Sequence, residues 1–475
     1  MNRVGDAADA PPFPDAAKLA LADPQLRRNV RHATDVIRGK RSTVVGEMAD
    51  WPALREAGHQ IKAHTLRYLD TYLEQFETNC ARAGGQVHWA RDADEANRTI
   101  IEIIQTHRET EVIKVKTMTS DETRLNVALA DAGITPHETD LADLIIQLGD
   151  DTPSHIVVPA LHRNRAEIRQ LFKDKMGLAE LGDQAEDLTN AARLFLREKF
   201  LRVKIGLSGA NFAIADTGAV CVVESEGNGR MCLTLPNVLI TLVGIEKVIP
   251  TFTDLEVFLQ SLPRSATGER MNPYNSIWTG TTAGDGPQEF HVVLLDNGRT
   301  TVLADAEARQ TLYCIRCGAC LNTCPVYRQT GGHAYGSIYS GPIGAILTPQ
   351  LQSMQHSTSL PYASSLCGAC YDVCPVAINI PAVLTHLRRK VVEGGGAPLG
   401  ERVAMKAAAV AFSGSSRLAT AQKVARIAQW PFTRDGQLHH LPGMLGKWTD
   451  ARDLPAIPPQ SFREWWAARD ATRGT

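Results

Sequence analysis

The chain has 475 residues, of which 44% are hydrophobic and 21% are charged, and its formal net charge is -2. This hydrophobic fraction excludes a mainly disordered protein, and the length predicts two or three structural units. The near-neutral balance gives no concentrated basic charge, so we expect no nucleic acid partner.

The segment MNRVGDAADAPPFPDAAKLALAD at residues 1–23 lacks the apolar core of a secretory signal peptide. Nor does the chain contain a run of about eighteen apolar residues, so we predict no transmembrane segment. A cytoplasmic location is expected, with peripheral attachment to a membrane as the alternative. Thiols stay reduced there, so the cysteines are not expected to form disulfides. Cys80, Cys221 and Cys232 have apolar neighbours and are predicted to be core residues.

Residues 1–80 are predicted to form a helical N-terminal segment. The stretch LREAGHQIKAHTLRYLDTYLEQFETNCARAGG repeats apolar residues every three or four positions and then meets two glycines. Arg38, Lys40 and Arg41 form a short basic cluster, which we interpret as a solvated helix end.

Residues 81–300 alternate predicted strands with predicted helices. The strands include QVHWA, EVIKVKT, AIADTGAVCVVES, NVLITLVGI and EFHVVLLDNG, and the helices include DADEANRTIIEIIQTH and LTNAARLFLREKFLRV. Thr119 and Glu122 are predicted to form a capping box at the start of another helix, and residues 264–286 are predicted to be loops. The alternation predicts an α/β domain with an open, mostly parallel sheet.

Residues 301–395 carry a duplicated motif, CIRCGACLNTCP and SSLCGACYDVCP, and residues 396–475 form a helical tail rich in Trp and Pro. The first copy has the spacing C-x2-C-x2-C-x3-C-P of bacterial ferredoxins. Three thiolates, each separated from the next by two residues, surround one corner of a cubane, and the fourth turns away. In two-cluster ferredoxins that fourth cysteine binds the other cluster.

The ferredoxin pattern predicts two [4Fe-4S] clusters with crossed ligands. Cluster 1 is predicted to bind Cys314, Cys317, Cys320 and Cys374, and cluster 2 to bind Cys324, Cys367 and Cys370. Ser364 stands where the first motif has Cys314. Either Ser364 supplies an alkoxide, or a ligand comes from elsewhere, or one iron is open or absent, as in a [3Fe-4S] cluster.

Structural zinc is the alternative for such cysteines, but zinc usually takes two separated pairs, with four ligands for each ion. Four cysteines in one run, with a partner run and two Cys-Pro ends, fit iron–sulfur better. Because a cluster moves single electrons, the motif predicts an electron relay.

The α/β domain has no G-x-G-x-x-G motif and no Walker A motif, so a bound dinucleotide or nucleoside triphosphate is not indicated. Lys114 and Lys116 precede a predicted helix start that could favour an anion. The stretch GLSGANFAIADTGAVCVVESEGNGR has polar residues that could line a ligand crevice, namely Asn211, Asp216, Thr217, Glu226, Asn228 and Arg230. The alternatives are an ordinary helix cap and ordinary turns. His155 and His162 are expected to be structural.

GLSGANFAIADTGAVCVVESEGNGR, GIEKVIPT and ETDLADLIIQLGDDTPSHIVVPALH resemble the LUD domain of lactate-utilisation proteins. Together with the two cysteine motifs and the loop GGHAYGSIYSGPIGA, the chain resembles the LutB family of bacterial L-lactate utilisation. The resemblance implies a CoA-transferase-like α/β fold and an electron-carrying role in the oxidation of L-lactate to pyruvate. It also implies two partner proteins, one with cysteine-rich repeats and one with a LUD domain alone.

Other functions remain open at this point. The LUD domain could itself be the catalyst, acting on a carboxylate or thioester with Glu226 as nucleophile. The chain could also serve another iron–sulfur oxidoreductase, or be a scaffold with structural clusters. Catalytic residues and the electron acceptor are not indicated by the sequence.

Overall fold

The structure, a computed structural model, describes residues 10–473. One unit extends to Gly394 and a second begins at Gly395. The first nine residues of the segment used to argue against a signal peptide lie outside the described part. The predicted domain boundaries at residues 80, 300 and 395 remain predictions.

The N-terminal segment is helical, as predicted. Its helices are α1 (Phe13–Ala22), α2 (Pro24–Gly46), α3 (Trp51–Arg67) and α4 (Leu69–Arg82). Asp23 caps α2, because its side chain accepts hydrogen bonds from the backbone N–H groups of Gln25 and Leu26. Pro24 occupies the first turn, where its missing N–H has no cost.

The α/β part of this unit contains ten strands in two sheets. They are β1 (Gly85–Ala90), β2 (Glu111–Lys114), β3 (Thr135–Glu138), β4 (Ile205–Gly209), β5 (Phe212–Ile214), β6 (Ala219–Glu224), β7 (Val238–Gly244), β8 (Val248–Ile249), β9 (Tyr274–Trp278) and β10 (Glu289–Leu295). A six-stranded sheet in the order β1-β10-β7-β4-β2-β3 is parallel throughout. The other sheet has the order β8-β5-β6-β9. The open parallel sheet confirms the predicted fold class.

Helices lie between the strands of the α/β part. They are α5 (Ala93–Thr106), α6 (Met118–Glu122), α7 (Leu125–Asp131), α8 (Leu141–Leu148), α9 (Arg165–Met176), α10 (Ala185–Arg202), α11 (Asn228–Thr234), α12 (Phe252–Ala266) and α13 (Arg299–Ala304). α5 shows why the pattern folds this way. Its Ala96, Ile100 and Ile104 repeat every four residues and are buried, and this stripe faces the sheet core.

Two local predictions are corrected. The cap of α6 is Thr117, whose side chain accepts from the N–H of Thr119, so the predicted Thr119–Glu122 capping box is wrong. The loop assigned to residues 264–286 contains strand β9, which pairs with β6. Cys80, Cys221 and Cys232 are fully buried, which confirms them as core residues.

The cysteine motifs lie among short helices. These are α14 (Ala319–Thr323), α15 (Tyr327–Thr330), α16 (Gly341–Leu351), α17 (Ala369–Val373) and α18 (Ile380–Glu393). One continuous apolar cluster contains Phe212 and Ile214 of the second sheet together with Leu321 and Val376 beside the cysteines. The cysteine motifs are therefore part of the same core as the α/β part.

The second unit consists of three helices and a small antiparallel sheet. Its elements are α19 (Leu399–Phe412), α20 (Ser415–Ala428), β11 (Thr433–Arg434), β12 (Gln437–Leu438), β13 (Leu454–Pro455) and α21 (Phe462–Arg473). Across residues 10–473, no helix has both the length and the apolar character needed to cross a membrane.

Candidate iron–sulfur site

The two cysteine motifs have the same backbone conformation. Arg316 and Leu366 have φ values of 61° and 55°, and Gly318 and Gly368 have φ values of 73° and 85°. A positive φ is costly for a residue other than glycine, by roughly 1–2 kcal/mol. Both copies retain it just before a short helix, so the duplication in the sequence is also a duplication in space.

The structure brings Cys374 of the second motif next to the first motif. Burial raises the pKa of Cys317, and the nearby thiols of Cys374 and Cys314 raise it further. Burial also raises the pKa of Cys320, with added contributions from Cys314, Cys317, Cys370 and Cys374. The four cysteines predicted for cluster 1 are thus neighbours across the two motifs.

Cys324 lies instead with the cysteines of the second motif. Burial raises the pKa of Cys324, and nearby Cys367 adds to the shift. Burial together with Cys324 and Cys367 raises the pKa of Cys370 to about 12. The interaction between Cys320 and Cys370 shows that the two groups of thiols are adjacent. Which of these thiolates bind iron remains a prediction.

The surroundings of the thiols fit iron–sulfur clusters. Cys317, Cys324, Cys370 and Cys374 are no more than 8% exposed, whereas Cys367 is exposed. A metal ion binds the thiolate form, so binding would deprotonate these thiols despite their raised pKa values. Two buried donors nearby, Arg41 Nε and the Tyr335 hydroxyl, have no hydrogen-bond partner within the described part of the chain. Sulfur atoms of a cluster are acceptors for such donors.

Ser364 occupies the same backbone setting as Cys314. Its Oγ accepts a hydrogen bond of 3.1 Å from the N–H of Leu366. In the first motif, Cys314 Sγ accepts one of 3.4 Å from the N–H of Arg316. An oxygen therefore stands where the first motif has the sulfur of Cys314, and the role of either atom as a ligand remains a prediction.

Two arginines of the N-terminal helices hold the segment that carries Cys374. Arg41 on α2 donates to the carbonyl oxygen of Val373 at 2.9 Å. Arg55 on α3 donates to the carbonyl oxygens of Cys374 and Tyr371, each at 2.6 Å. The interpretation of the basic cluster as a solvated helix end is wrong for Arg41, because α2 packs against α14 and α15. No pattern in the sequence links these helices to the motifs.

A buried charge network joins the first motif to the parallel sheet. Arg316 donates to Glu246 at 3.2 Å, and Arg299 donates to Glu246 and, at 2.8 and 2.9 Å, to Glu122. The Tyr339 hydroxyl also donates to Glu122, at 2.6 Å. Burial would raise the pKa of Glu246, but Arg299 and Arg316 outweigh it and lower that pKa to about 2. The network lies beyond the carboxyl ends of β7 and β10, an edge where α/β sheets commonly bind ligands.

Comparison with known proteins gives three family models in the same order along the chain. A LUD domain matches residues 73–295, a 4Fe-4S dicluster domain matches residues 310–378, and a "Lactate utilisation protein B, C-terminal" model matches residues 385–471. Two proteins called lactate utilization protein B, from Bacillus licheniformis and Bacillus subtilis, are each 42% identical to this chain. The alignment with the first covers 97% of this chain and 98% of the relative. The alignment with the second covers 98% of this chain and 97% of the relative.

The chain belongs to the lactate utilization protein B family. A relative from Exiguobacterium is 43% identical over 96% of this chain and 97% of its own length. Among solved structures, a DUF162 family protein from Deinococcus radiodurans covers 48% of this chain and 98% of its own, with 16% identity and a TM-score of 0.28. That last likeness is too low to support an argument.

The lysines of the LUD domain do not form a free anion site. Lys114 Nζ lies 2.6 Å from Glu138, and the lysine side chain is only 1% exposed. Lys116 donates to the carbonyl oxygen of Val157 at 3.1 Å and lies 3.8 Å from Asp143. Because oxygens of the chain itself already meet both ammonium groups, the alternative of an ordinary helix cap is favoured.

The polar residues after β4 mostly stabilise turns of the LUD domain. Asn211, Asp216 and Thr217 each accept a hydrogen bond from a backbone N–H group, as ordinary turns predict. Glu226 is exposed, as is Asp216, and it also accepts a backbone hydrogen bond from Leu141. Partial desolvation and the nearby Asp140 raise the pKa of Glu226.

His155 of the LUD domain is structural, as expected. Its Nδ1 accepts hydrogen bonds from the N–H groups of Val157 and Val158, both at 3.0 Å. The proton therefore lies on Nε2, which donates to Asn322 at 3.2 Å. Because Asn322 belongs to α14, this contact also ties the LUD domain to the first motif.

His162 is also satisfied. It lies 2.8 Å from Ser154 Oγ and 3.0 Å from Asp151. Potential metal-ligand atoms of Asp151, His162 and His333 all lie within 4.8 Å of one another. Arg163 already pairs with the same Asp151 oxygen, so the arrangement is an ion pair and not a cation site.

Proposed function

We propose that this chain carries electrons released in the oxidation of L-lactate to pyruvate, using two iron–sulfur clusters. The observation that supports this proposal is the gathering of seven cysteines from two distant motifs into two adjacent, mostly buried groups. Cys80, Cys221 and Cys232 are also buried thiols of raised pKa, so the grouping of the seven cysteines, and not burial alone, favours a role as ligands. As ligands, the seven grouped thiols would hold redox centres close enough together to exchange electrons.

The electron count agrees with this role. Oxidation of a 2-hydroxy acid to a 2-oxo acid releases two electrons and two protons, and a bound [4Fe-4S] cluster accepts one electron at a time. Two such clusters therefore hold the pair from one lactate. The chain surrounds the first group of thiols with largely buried residues, whereas Cys367 of the second group is exposed to solvent. The second cluster would have a fourth ligand other than cysteine, or be a [3Fe-4S] cluster.

The proposal includes two partners and a further electron acceptor. The partners are a lactate-utilisation protein with cysteine-rich repeats and one with a LUD domain alone, in the cytoplasm. The near-neutral charge of the chain favours specific contacts over a general electrostatic attraction.

Anaerobic iron and sulfide analysis with EPR spectroscopy tests the cofactor content. We expect about eight iron atoms for each chain, or about seven if cluster 2 is a [3Fe-4S] cluster. Dithionite should bleach the brown colour and produce EPR signals of two interacting centres. Zinc without iron, or iron sufficient for one cluster only, would contradict the proposal.

The lactate-dependent role needs a separate test. The three proteins are mixed anaerobically with L-lactate, and the bleaching of this chain is followed by absorbance. We expect reduction only in the complete mixture, and D-lactate serves as the control substrate. Clusters that dithionite reduces but that the complete mixture with L-lactate leaves oxidised would disprove the role in lactate oxidation.

A second candidate function is catalysis by the LUD domain on a carboxylate or thioester. The raised pKa of the exposed Glu226 is the observation that favours it. Under our main proposal, Glu226→Gln leaves lactate-dependent bleaching unchanged. Loss of turnover with normal reduction by dithionite would favour the catalytic LUD domain instead.

A further inference from the structure

The two groups of thiols differ sharply in the positive charge around them. Arg41 and Arg55 interact electrostatically with the first group, Arg41 with Cys317 and Cys374 and Arg55 with Cys374. Both side chains come from the N-terminal helices, outside the segment that carries the motifs. Arginine stays charged in proteins, so this charge is permanent.

Arg41 has an unused donor at this position. One of its terminal nitrogens donates to the carbonyl oxygen of Val373, the residue before Cys374. Its Nε is buried and has no hydrogen-bond partner among the described residues. A buried N–H without a partner costs about 1–3 kcal/mol. A cluster sulfur beside Cys374 would satisfy this donor and remove that cost.

Carboxylates cancel the other nearby arginines but not these two. Arg316 pairs with Glu246, and Arg299 pairs with Glu246 and Glu122. Within residues 10–473, no ion pair within 4.0 Å is formed by Arg41 or Arg55. The first group of thiols therefore has a local excess of positive charge.

In the second group, the nearby charges that shift the pKa values of Cys324 and Cys370 are other thiols and not arginines of the described chain. Arg388 approaches the second motif, where it donates to the carbonyl oxygens of Pro361 and Ser364. It also lies over the ring of Tyr362 at 5.0 Å, and Cys367 is exposed. Solvent near an exposed group screens its charges.

We propose that Arg41 and Arg55 bind cluster 1 and raise its reduction potential above that of cluster 2. This inference rests on the proposed function, because it requires both clusters. Burial alone would lower the potential of cluster 1, since reduction adds negative charge in a poorly polarisable core. The two guanidinium groups reverse that order. When the chain holds a single electron, that electron resides on cluster 1 and cluster 2 stays in its oxidised form. No bond forms or breaks, and no proton moves.

EPR-monitored redox titration of anaerobically purified protein tests this inference. The variants are Arg41→Gln, Arg55→Gln and Arg41→Lys, with iron and sulfide measured for each. Arg38→Gln is the matched control, because Arg38 lies on the same helix but is exposed and pairs with Asp35. The wild type should show two separated midpoint potentials.

The inference predicts a change in the higher midpoint alone. Arg41→Gln and Arg55→Gln should each lower the higher midpoint potential. The equilibrium constant for reduction should fall at least threefold, where a tenfold fall corresponds to 59 mV for one electron. Arg41→Lys should recover part of the shift, since the charge returns without the Nε donor. Arg38→Gln should leave both midpoints unchanged.

Several results would overturn it. These are unchanged midpoints in both glutamine variants, equal shifts of both midpoints, or a shift of the lower midpoint alone. If Arg41→Gln loses iron, Arg41→Lys must retain it, and equal loss in both would reject the role of the charge. Absence of two clusters in the wild type would reject the proposed function itself, whereas two clusters insensitive to these arginines would reject only this inference.

Discussion

The first and second cysteine motifs share a backbone but have very different surroundings. Cys317 in the first is 7% exposed, and Arg316 ties the loop to the buried pair of Glu246 and Arg299. In the second, Cys367 is exposed and Leu366 is 40% exposed. The front of the motif is thus covered in the first copy and open to solvent in the second, so cluster 1 is called the inner centre and cluster 2 the outer centre. Sequence duplication supplies two equal scaffolds, and the packing around them makes the sites unequal.

Removing Cys374 should have the largest effect on this comparison. If the ligands cross, Cys374→Ala should destroy the inner centre and match Cys314→Ala in its EPR spectrum, with a loss of about four irons. Cys324→Ala should match Cys370→Ala. Iron analysis and EPR of the four variants check the pairing. Should Cys374→Ala match Cys370→Ala instead, each motif binds its own cluster and the crossing is rejected.

Glu122→Gln should weaken the buried charge network that joins the first motif to the parallel sheet. It leaves Glu246 as the one carboxylate that pairs with the buried Arg299 among the described residues, and loss of one partner of a buried pair typically costs about 3–5 kcal/mol. Urea denaturation under anaerobic conditions measures the free energy of unfolding. Glu307→Gln is the control, since its pair with Arg389 is exposed and screened by solvent, so a much smaller loss of stability is expected. Similar losses in both variants would show that the network is not a special anchor.

The outer centre should lose iron before the inner one. Exposure of Cys367 gives a chelator direct access, whereas Cys317 and Cys374 are buried and Cys314 and Cys320 are partly buried. A difference of roughly tenfold in rate needs only about 1.4 kcal/mol between the two barriers. EPR spectra recorded during incubation with a chelator follow the two centres separately. Simultaneous loss of both signals would mean that exposure does not separate them.

Changes at Ser364 should affect a single iron. Ser364→Ala removes the hydroxyl oxygen that takes the place of the Cys314 sulfur, so we expect a larger fraction of [3Fe-4S] signal from the outer centre. Ser364→Cys restores the pattern of the first motif and should reduce that signal. Ser365→Ala, one residue away, is the matched control. Identical spectra for Ser364→Ala and the wild type would exclude Ser364 as a ligand.

The cysteine spacing predicted a class of site that the structure and the family comparison support. Proximity of Cys374 to Cys314 follows from the ferredoxin pattern, because turns and short helices of fixed geometry determine where each thiol points. The α/β class followed equally well from alternating strands and helices. Strand β3, with the sequence TPHE, was not indicated, because it has little strand propensity and forms by pairing with β2.

The arginines could not be found in the same way. Arg41 looks like other surface arginines of an amphipathic helix, and its neighbours Arg38 and Lys40 are indeed exposed. Only the packing of α2 on α14 and α15 turns its side chain toward Val373. Glu122 likewise fitted a capping box in the sequence, but its tertiary partner Arg299 is 177 residues away.

The sequence by itself determined the ligand chemistry and the duplication of the site, because both depend on residue type and on spacing over a few positions. Tertiary structure alone decided that the front of the first copy is covered, that the front of the second faces solvent, and which charges surround each. Those properties come from segments that are distant in the chain, and local sequence patterns contain no information about such contacts. Electrostatic interactions act through space, so the environment of a redox site depends on the complete fold.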